Sequence, residues 1–385
     1  NQVGLCLCKV RPGFFFHPLC FSDVRSCFRS PVFLKKNGSL RFNWGKIFNF
    51  ALLKCDLFFS RERPAGRDSL SNNLSMERQN HIDLIKCVMI VLMVAFHLQY
   101  IEHLYPTAKQ VVFTFHMPVF LLISGFFTSV RKSGSDFLHR LGRIALPYVL
   151  AEAAYVVASA YMPVAGGVER LSVGVAQDKV FLHPLGPYWY LHTLAVATTV
   201  SWLVARLRRL TEGAQVVLTA GLLLALSAWG GWLSLTGAVS FSIGLALRQW
   251  GVGLFAVGRA TLWSLLLVVG LCLFPENGNA LTLGGLGVSL LVGNFLTALC
   301  QRLPQRVLRG PLWLGRNTLP ILLFSPVFTM AVKPLARWLE PVDATGLLVL
   351  LFALVIAVGG SVAMAWVADR LGLSRRLFLG NLLSR

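Results

Sequence analysis

The sequence predicts an all-α integral membrane protein with about ten transmembrane helices and both termini cytoplasmic. Three observations carry that reading. The chain of 385 residues is 55% hydrophobic and only 14% charged, with mean hydropathy +0.65. A soluble domain of this length carries more charge than that. Apolar runs then succeed one another from residue 84 to residue 368. Finally, the basic residues gather in short clusters between those runs, and the clusters fall on alternate connections.

Taken in order, the apolar runs place helices at 84–103, 109–128, 144–163, 187–205, 214–229, 232–248, 258–274, 280–300, 317–336 and 344–368. Starting the first helix inside assigns to the cytoplasm Arg131, Lys132, Arg140 and Arg143, then Arg206, Arg208 and Arg209. Arg248 and Arg259 come next, then the arginines of 302–316 and those of the tail from Arg370. The opposite side keeps only Lys109, Arg170, Lys179, Lys333 and Arg337. An even number of spans preserves this bias to the last loop and puts both ends inside. The net charge of +20 therefore reads as membrane orientation, and nucleic acid is excluded as a partner.

Residues 1–75 differ from the rest of the chain. They contain no Met, are rich in Phe and basic residues, and show no sustained periodicity. Met76 opens MERQNHIDL, a natural start for a membrane protein with its N-terminus inside. The expected organisation is a poorly ordered or artefactual extension over 1–75 and a transmembrane domain over 76–385. Of the eight cysteines, Cys6, Cys8, Cys20, Cys27 and Cys55 lie in the extension at no metal-ligand spacing. No disulfide framework, metal site or permanently bound cofactor is expected.

The longest outward connection, 164–186, leads into HPLGPYWYLH at 183–192. A loop of this length in a tightly connected protein is often functional. No internal repeat and no paired interrupted helices are visible, which argues against a transporter or flippase.

The candidate chemistry lies on ionisable groups inside the apolar runs, where such groups usually face a cavity. Lys86 and His97 are eleven residues apart in HIDLIKCVMIVLMVAFH, on one helix face and about 16 Å apart along the axis. His97 can serve as a general base, or it can simply donate to a neighbouring carbonyl. Lys86 can receive a phosphate, or it can snorkel in a pair with Asp83. Arg140 and Arg143 share a face at the mouth of the third helix, where two guanidinium groups can grip a phosphate or merely satisfy orientation. Glu152, in mid-helix, must be protonated or partnered, and can orient His97 or bind an acceptor hydroxyl. His116 is a second candidate, whereas His192 reads as a packing histidine. GxSxG, HExxH, Walker and GxGxxG signatures are absent.

These residues resemble the acyltransferase-3 family of membrane-bound acyltransferases. Asp83, Lys86 and His97 match its opening pattern, and HMPVFLLISGFF (116–127) is similar to its second helix, with Ser124, Gly125 and Phe126. Arg140 and Arg143, followed by Pro147 and Tyr148, match its RxxR. PYWYLHTL (187–194) and GRNTLPILLFSPVF (315–328) resemble later stretches. Leu322 and Ser325 stand where many relatives carry Tyr and His, which keeps open a different acceptor or a non-catalytic assembly role. The resemblance implies transfer of an acyl group, often acetyl, from cytoplasmic acyl-CoA to a glycan, lipid-linked sugar or similar envelope acceptor. It implies a multi-pass protein of the inner (plasma) membrane among membrane lipids, with acyl-CoA as donor substrate. Within it Arg140 and Arg143 would hold CoA phosphates and Lys86 would line the donor path. His97 and Glu152 would be catalytic, and His116, Trp189 and Ser325 would meet the substrate.

Overall fold

The structure is a computed structural model that describes residues 33–36, 39–42, 68–161, 167–255, 260–339, 343 and 345–384. It divides into two units at Asp68–Ser69. In the first, strand β1 (Phe33–Lys36) pairs antiparallel with β2 (Ser39–Phe42), a short hairpin that an all-helical reading did not anticipate. Residues 68–75 of the expected extension open a helix that continues past Met76, and the rest of the extension lies outside the described residues.

The second unit is helical. Its apolar helices are α1 (Asp68–Phe96), α3 (Pro106–Phe127), α4 (Gly134–Ser159), α6 (Trp189–Val204) and α7 (Glu212–Gly230), with the short α2 (Gln99–Leu104) after the first. They continue as α8 (Leu235–Gln249), α9 (Ser264–Cys272), α10 (Leu283–Arg302), α12 (Thr318–Leu339) and α13 (Leu347–Arg370). Three helices lie in connections: α5 (Val173–Phe181), α11 (Gln305–Arg316) and α14 (Leu373–Leu377). Among the described residues, five helices (α3, α4, α7, α10 and α13) are long and apolar enough to cross a membrane. The chain is thus a multi-pass helical membrane protein.

Each expected run holds an apolar helix, but three boundaries differ for physical reasons. The first run breaks after Phe96, with no glycine or proline to announce it. There the last turn tightens: the His97 N–H reaches both the Met93 and Val94 carbonyls and the Leu98 N–H turns to Ala95, while the His97 ring also bonds the Met93 carbonyl. The run at 258–274 keeps only nine helical residues, about 13 Å of rise and too short to span alone. Before it, Gly251 and Phe255 have positive φ, so the backbone turns rather than continuing as helix. The arginine-rich connection at 302–316 is itself helical: Leu308 and Leu312, one turn apart, are buried while Arg306 and Arg309 stay exposed.

Two glycines set the packing of α3 on α8. A Cβ on Gly125 would collide with the carbonyl of Phe241, and one on Gly244 with the carbonyl of Leu122. The contact is reciprocal, backbone against backbone. Small residues at such crossings let helices approach where lipid supplies no hydrophobic drive. Around the crossing lies a core that includes Ile85, Met89, Val119, Leu122 and Ile321, all 2% exposed or less.

The segment after His97 is tied down from the far end of the chain. Tyr100 donates to the Asp343 carbonyl at 3.1 Å and Tyr105 to the Thr345 carbonyl at 2.7 Å. The Asp343 carboxylate accepts from the Thr345 hydroxyl and from the N–H groups of Leu348 and Val349, capping α13. The Thr345 bond, with those N–H groups, holds its carboxyl below the ordinary carboxylate range.

Candidate functional site

A cavity of about 550 Å³ opens among the end of α1, the first half of α3, the starts of α6 and α8 and the 3-10 turn Pro275–Gly278 that precedes α10. The starts of α3, α6 and α8 lie at one end of the helices. Sequence order puts Arg140 and Arg143 at the other end, because α4 runs 26 residues from their neighbourhood to Ser159. His97, His116 and Trp189 all line this cavity. Lys109 lines it too, paired with Glu102 and lying 5.2 Å from the centre of the Phe113 ring.

Both histidines are held the same way. His97 Nδ1 lies 2.6 Å from the Met93 carbonyl and His116 Nδ1 lies 2.8 Å from the Val112 carbonyl, each one turn back. A carbonyl only accepts, so the proton sits on Nδ1. In the neutral ring, Nε2 is then left with a lone pair able to take another proton. Phe113 packs against both rings, 5.8 Å from His97 and 4.8 Å from His116 between centres. They differ in access: His97 is exposed at the end of α1, and His116 is 3% exposed.

A smaller, mostly apolar cavity of about 190 Å³ holds Lys86, together with Ser124, Tyr190 and Leu322. The Ser124 and Tyr190 hydroxyls share a hydrogen bond of 2.9 Å. Met93 and Met117 line both cavities, so the two lie on either side of this methionine pair. Lys86 and His97 therefore lie on one helix but open into adjoining chambers.

The pairing with Asp83 expected of Lys86 is present. Its ammonium pairs with Asp83 at 2.8 Å and still borders the cavity. Asp83 has a second partner that sequence spacing could not show: Arg316, at 2.9 Å across 233 positions. Gly315 lets this happen, because a Cβ there would strike the Asp83 backbone. Asn317 completes the corner by accepting from the N–H and hydroxyl of Ser384 at 2.7 and 3.0 Å. One carboxylate thus faces two cations, leaving the corner with net positive charge.

Arg140 and Arg143 are exposed, and among the described residues neither makes an ion pair or hydrogen bond. Ile144, next to Arg143, lines the smaller cavity. Two expected site residues stand elsewhere. Glu152 is fully buried and accepts from the Leu185 N–H at 2.6 Å; it does not line the cavity around His97. Ser325 is 2% exposed on α12 and lines neither chamber. The methionine pair, Phe113, Tyr190 and Arg316 were not anticipated. Local signals existed for Met117 in HMPVFLLISGFF, Tyr190 in PYWYLHTL and Arg316 in GRNTLPILLFSPVF, without marking those side chains.

A family model described as an acyltransferase domain matches residues 79–366. No curated protein and no solved structure matches the chain.

Proposed function

The chain belongs to the acyltransferase-3 family, and we propose on that basis that it moves an acyl group, acetyl first among them, from cytoplasmic acyl-CoA to a hydroxyl of a glycan, lipid-linked sugar or other envelope molecule. The protein would sit in the inner (plasma) membrane with ten helices crossing and both termini cytoplasmic. One observation carries the reading most: a cationic chamber and a histidine-lined chamber adjoin at Met93 and Met117. That is what a long donor entering from one side and an acceptor entering from the other require.

In this mechanism Arg140 and Arg143 grip CoA phosphates and Lys86 lines the path. The pantetheine arm runs about 16 Å along α1 to reach His97. His97 Nε2 takes the acceptor hydroxyl proton as that oxygen attacks the thioester carbonyl carbon. The carbon–sulfur bond breaks, and the leaving thiolate recovers the proton from the imidazolium. An ester and free CoA result. His116 offers a second basic nitrogen at the same cavity, and Trp189 forms part of its wall.

The direct test is release of free thiol from acetyl-CoA by the purified protein, measured beside CoA binding. Arg140→Ala and Arg143→Ala should each weaken CoA binding with the protein still inserted. Each replaces a charge-assisted contact of about 1.5–3 kcal/mol, or roughly ten- to a hundredfold in affinity. Unchanged affinity in both variants would return the pair to a purely orienting role.

The methionine pair supplies a second test. Met93→Trp should fill the passage between the chambers, so CoA binding persists while thioester turnover drops. Turnover at the wild-type rate in that variant would mean that the donor reaches His97 by another route.

A further inference from the structure

The connection 302–316 carries four arginines and no acidic residue. To orient a chain they need only be charged, yet the structure arranges them. Most of the connection is α11, twelve residues and about 18 Å long, too short to span a membrane. Three stripes run along it. Leu308, Leu312 and Gly315 are buried, and the two leucines pack with Leu84 of α1. Arg306, Arg309 and Trp313, spaced i, i+3 and i+7, form a second stripe that is exposed throughout. Val307, Gly310 and Leu314 repeat that spacing about 100° further round. Val307 is 56% exposed, and a Cβ on Gly310 would meet nothing.

Contact with Leu84 sets the depth of this helix. The apolar run of α1 begins at that residue, so α11 lies where the bundle leaves the hydrocarbon. His97 is thirteen residues further along α1, about 20 Å away at the opposite end. The cations of α11 are not spent on the protein alike. Arg316 is held by Asp83, whereas among the described residues Arg306 and Arg309 make no ion pair or hydrogen bond. A second basic segment stands at the same end. Arg375 and Arg376 of α14 are exposed between the exposed Leu373 and Leu377, and Ser384 ties the tail that follows to Asn317, next to Arg316.

We propose that α11 is an interfacial helix whose Arg306, Arg309 and Trp313 stripe docks on the headgroups of anionic phospholipids, with Val307 and Leu314 toward the acyl chains. A helix lying in the membrane surface needs an apolar side, a basic side and a depth at the boundary, and α11 has all three. Tryptophan is at home at headgroup level, where its ring is apolar and its N–H is wet. Arg306 and Arg309 are about 4.5 Å apart along the axis, close enough to grip one phosphate or two adjacent ones. Charge selects the lipid. With no carboxylate on the helix, a zwitterionic headgroup brings a cation that the arginines repel, whereas an anionic headgroup brings none. No residue of α11 lines either chamber, so this surface is independent of the acyltransferase reading. It still bears on the cationic chamber. Gly315 and Arg316 close α11 onto Asp83, the partner of Lys86, and a docked helix braces that corner.

The test uses the full-length chain in detergent micelles with three probes: phosphatidylglycerol, phosphatidylcholine and glycerol 3-phosphate. Bound lipid is counted by native mass spectrometry. Phosphatidylglycerol should bind in preference to phosphatidylcholine, and the preference should fade as salt rises. Arg306→Gln combined with Arg309→Gln should weaken the tightest phosphatidylglycerol binding about 25-fold, about fivefold for each charge removed. Phosphatidylcholine binding should not change. Arg306→Lys with Arg309→Lys keeps the charge and should restore most of the affinity. Because neither arginine has a protein partner, the Gln pair should keep the parental thermal midpoint without lipid, which separates binding from folding. Phosphatidylglycerol should raise the midpoint of the parent more than that of the Gln pair. A phosphatidylglycerol with a diazirine in its headgroup should label α11. Equal binding of the two lipids, parental affinity in the Gln pair, or labelling confined to other segments overturns the proposal. Displacement of phosphatidylglycerol by an equal concentration of glycerol 3-phosphate overturns it too, because the site would then serve a soluble phosphate.

Discussion

Replacing His97 with Gln should lower acyl transfer by about 10²- to 10⁴-fold, the usual cost of losing a positioned general base. Glutamine keeps hydrogen-bonding capacity and much of the side-chain volume, but it cannot accept the proton. His97→Ala should be at least as inactive. Both variants should express and bind CoA nearly as the parent does, because Lys86, Arg140 and Arg143 lie toward the other chamber and mouth. Comparing the two separates chemistry from packing. The critical result is His97→Gln: near-normal transfer would make the residue structural. The proton would then pass to His116, the other ring in the same cavity with its Nδ1 held by a carbonyl.

The largest effect on folding should come from the crossing of α3 and α8. Gly125→Leu places a branched side chain where the Phe241 backbone lies, and Gly244→Leu does the same against Leu122. Neither neighbour can move as a flexible side-chain tip would, so the helices must separate. Overpacking typically costs about 1–3 kcal/mol and sometimes more, and backbone obstruction belongs at the upper end. A sharp fall in thermal midpoint or loss of monodisperse protein on size exclusion is expected. Gly125→Leu at parental stability would show that α3 and α8 do not rely on this approach. Because α3 carries His116, Met117 and Phe113 and α8 begins beside Ser234, separation should also disturb the cavity around His97.

Much of the helix order was legible because apolar runs bounded by turn residues and arginines report burial directly. The break after Phe96 was not, since no glycine or proline marks it and the last turn tightens only in the folded backbone. Nor was α5, inside a connection read as a long loop: Ser172 accepts from the Val175 N–H, and Tyr148 and His192 donate to the Val180 and Phe181 carbonyls. Of the candidate site residues, Lys86, His97 and His116 were proposed from residue type and register and Trp189 from the family resemblance, and all four border the adjoining chambers. Ser325 came from a substituted family position, and position alone does not say which way a side chain opens.

What this sequence determined by itself was the medium and the helix order, because hydrophobicity and charge distribution are additive along a chain. It also put one cation, Lys86, and His97 on one face of α1, because helical register depends only on spacing. Tertiary structure decided which of those groups share a space. It joined Asp83 to Arg316, placed Met93 and Met117 between two chambers, and set Glu152 against the Leu185 N–H rather than in the cavity around His97. Such pairings cross up to 233 positions and depend on how closely backbones approach at Gly125, Gly244 and Gly315. Packing between distant segments is a property of their joint shape, and neither segment carries it alone.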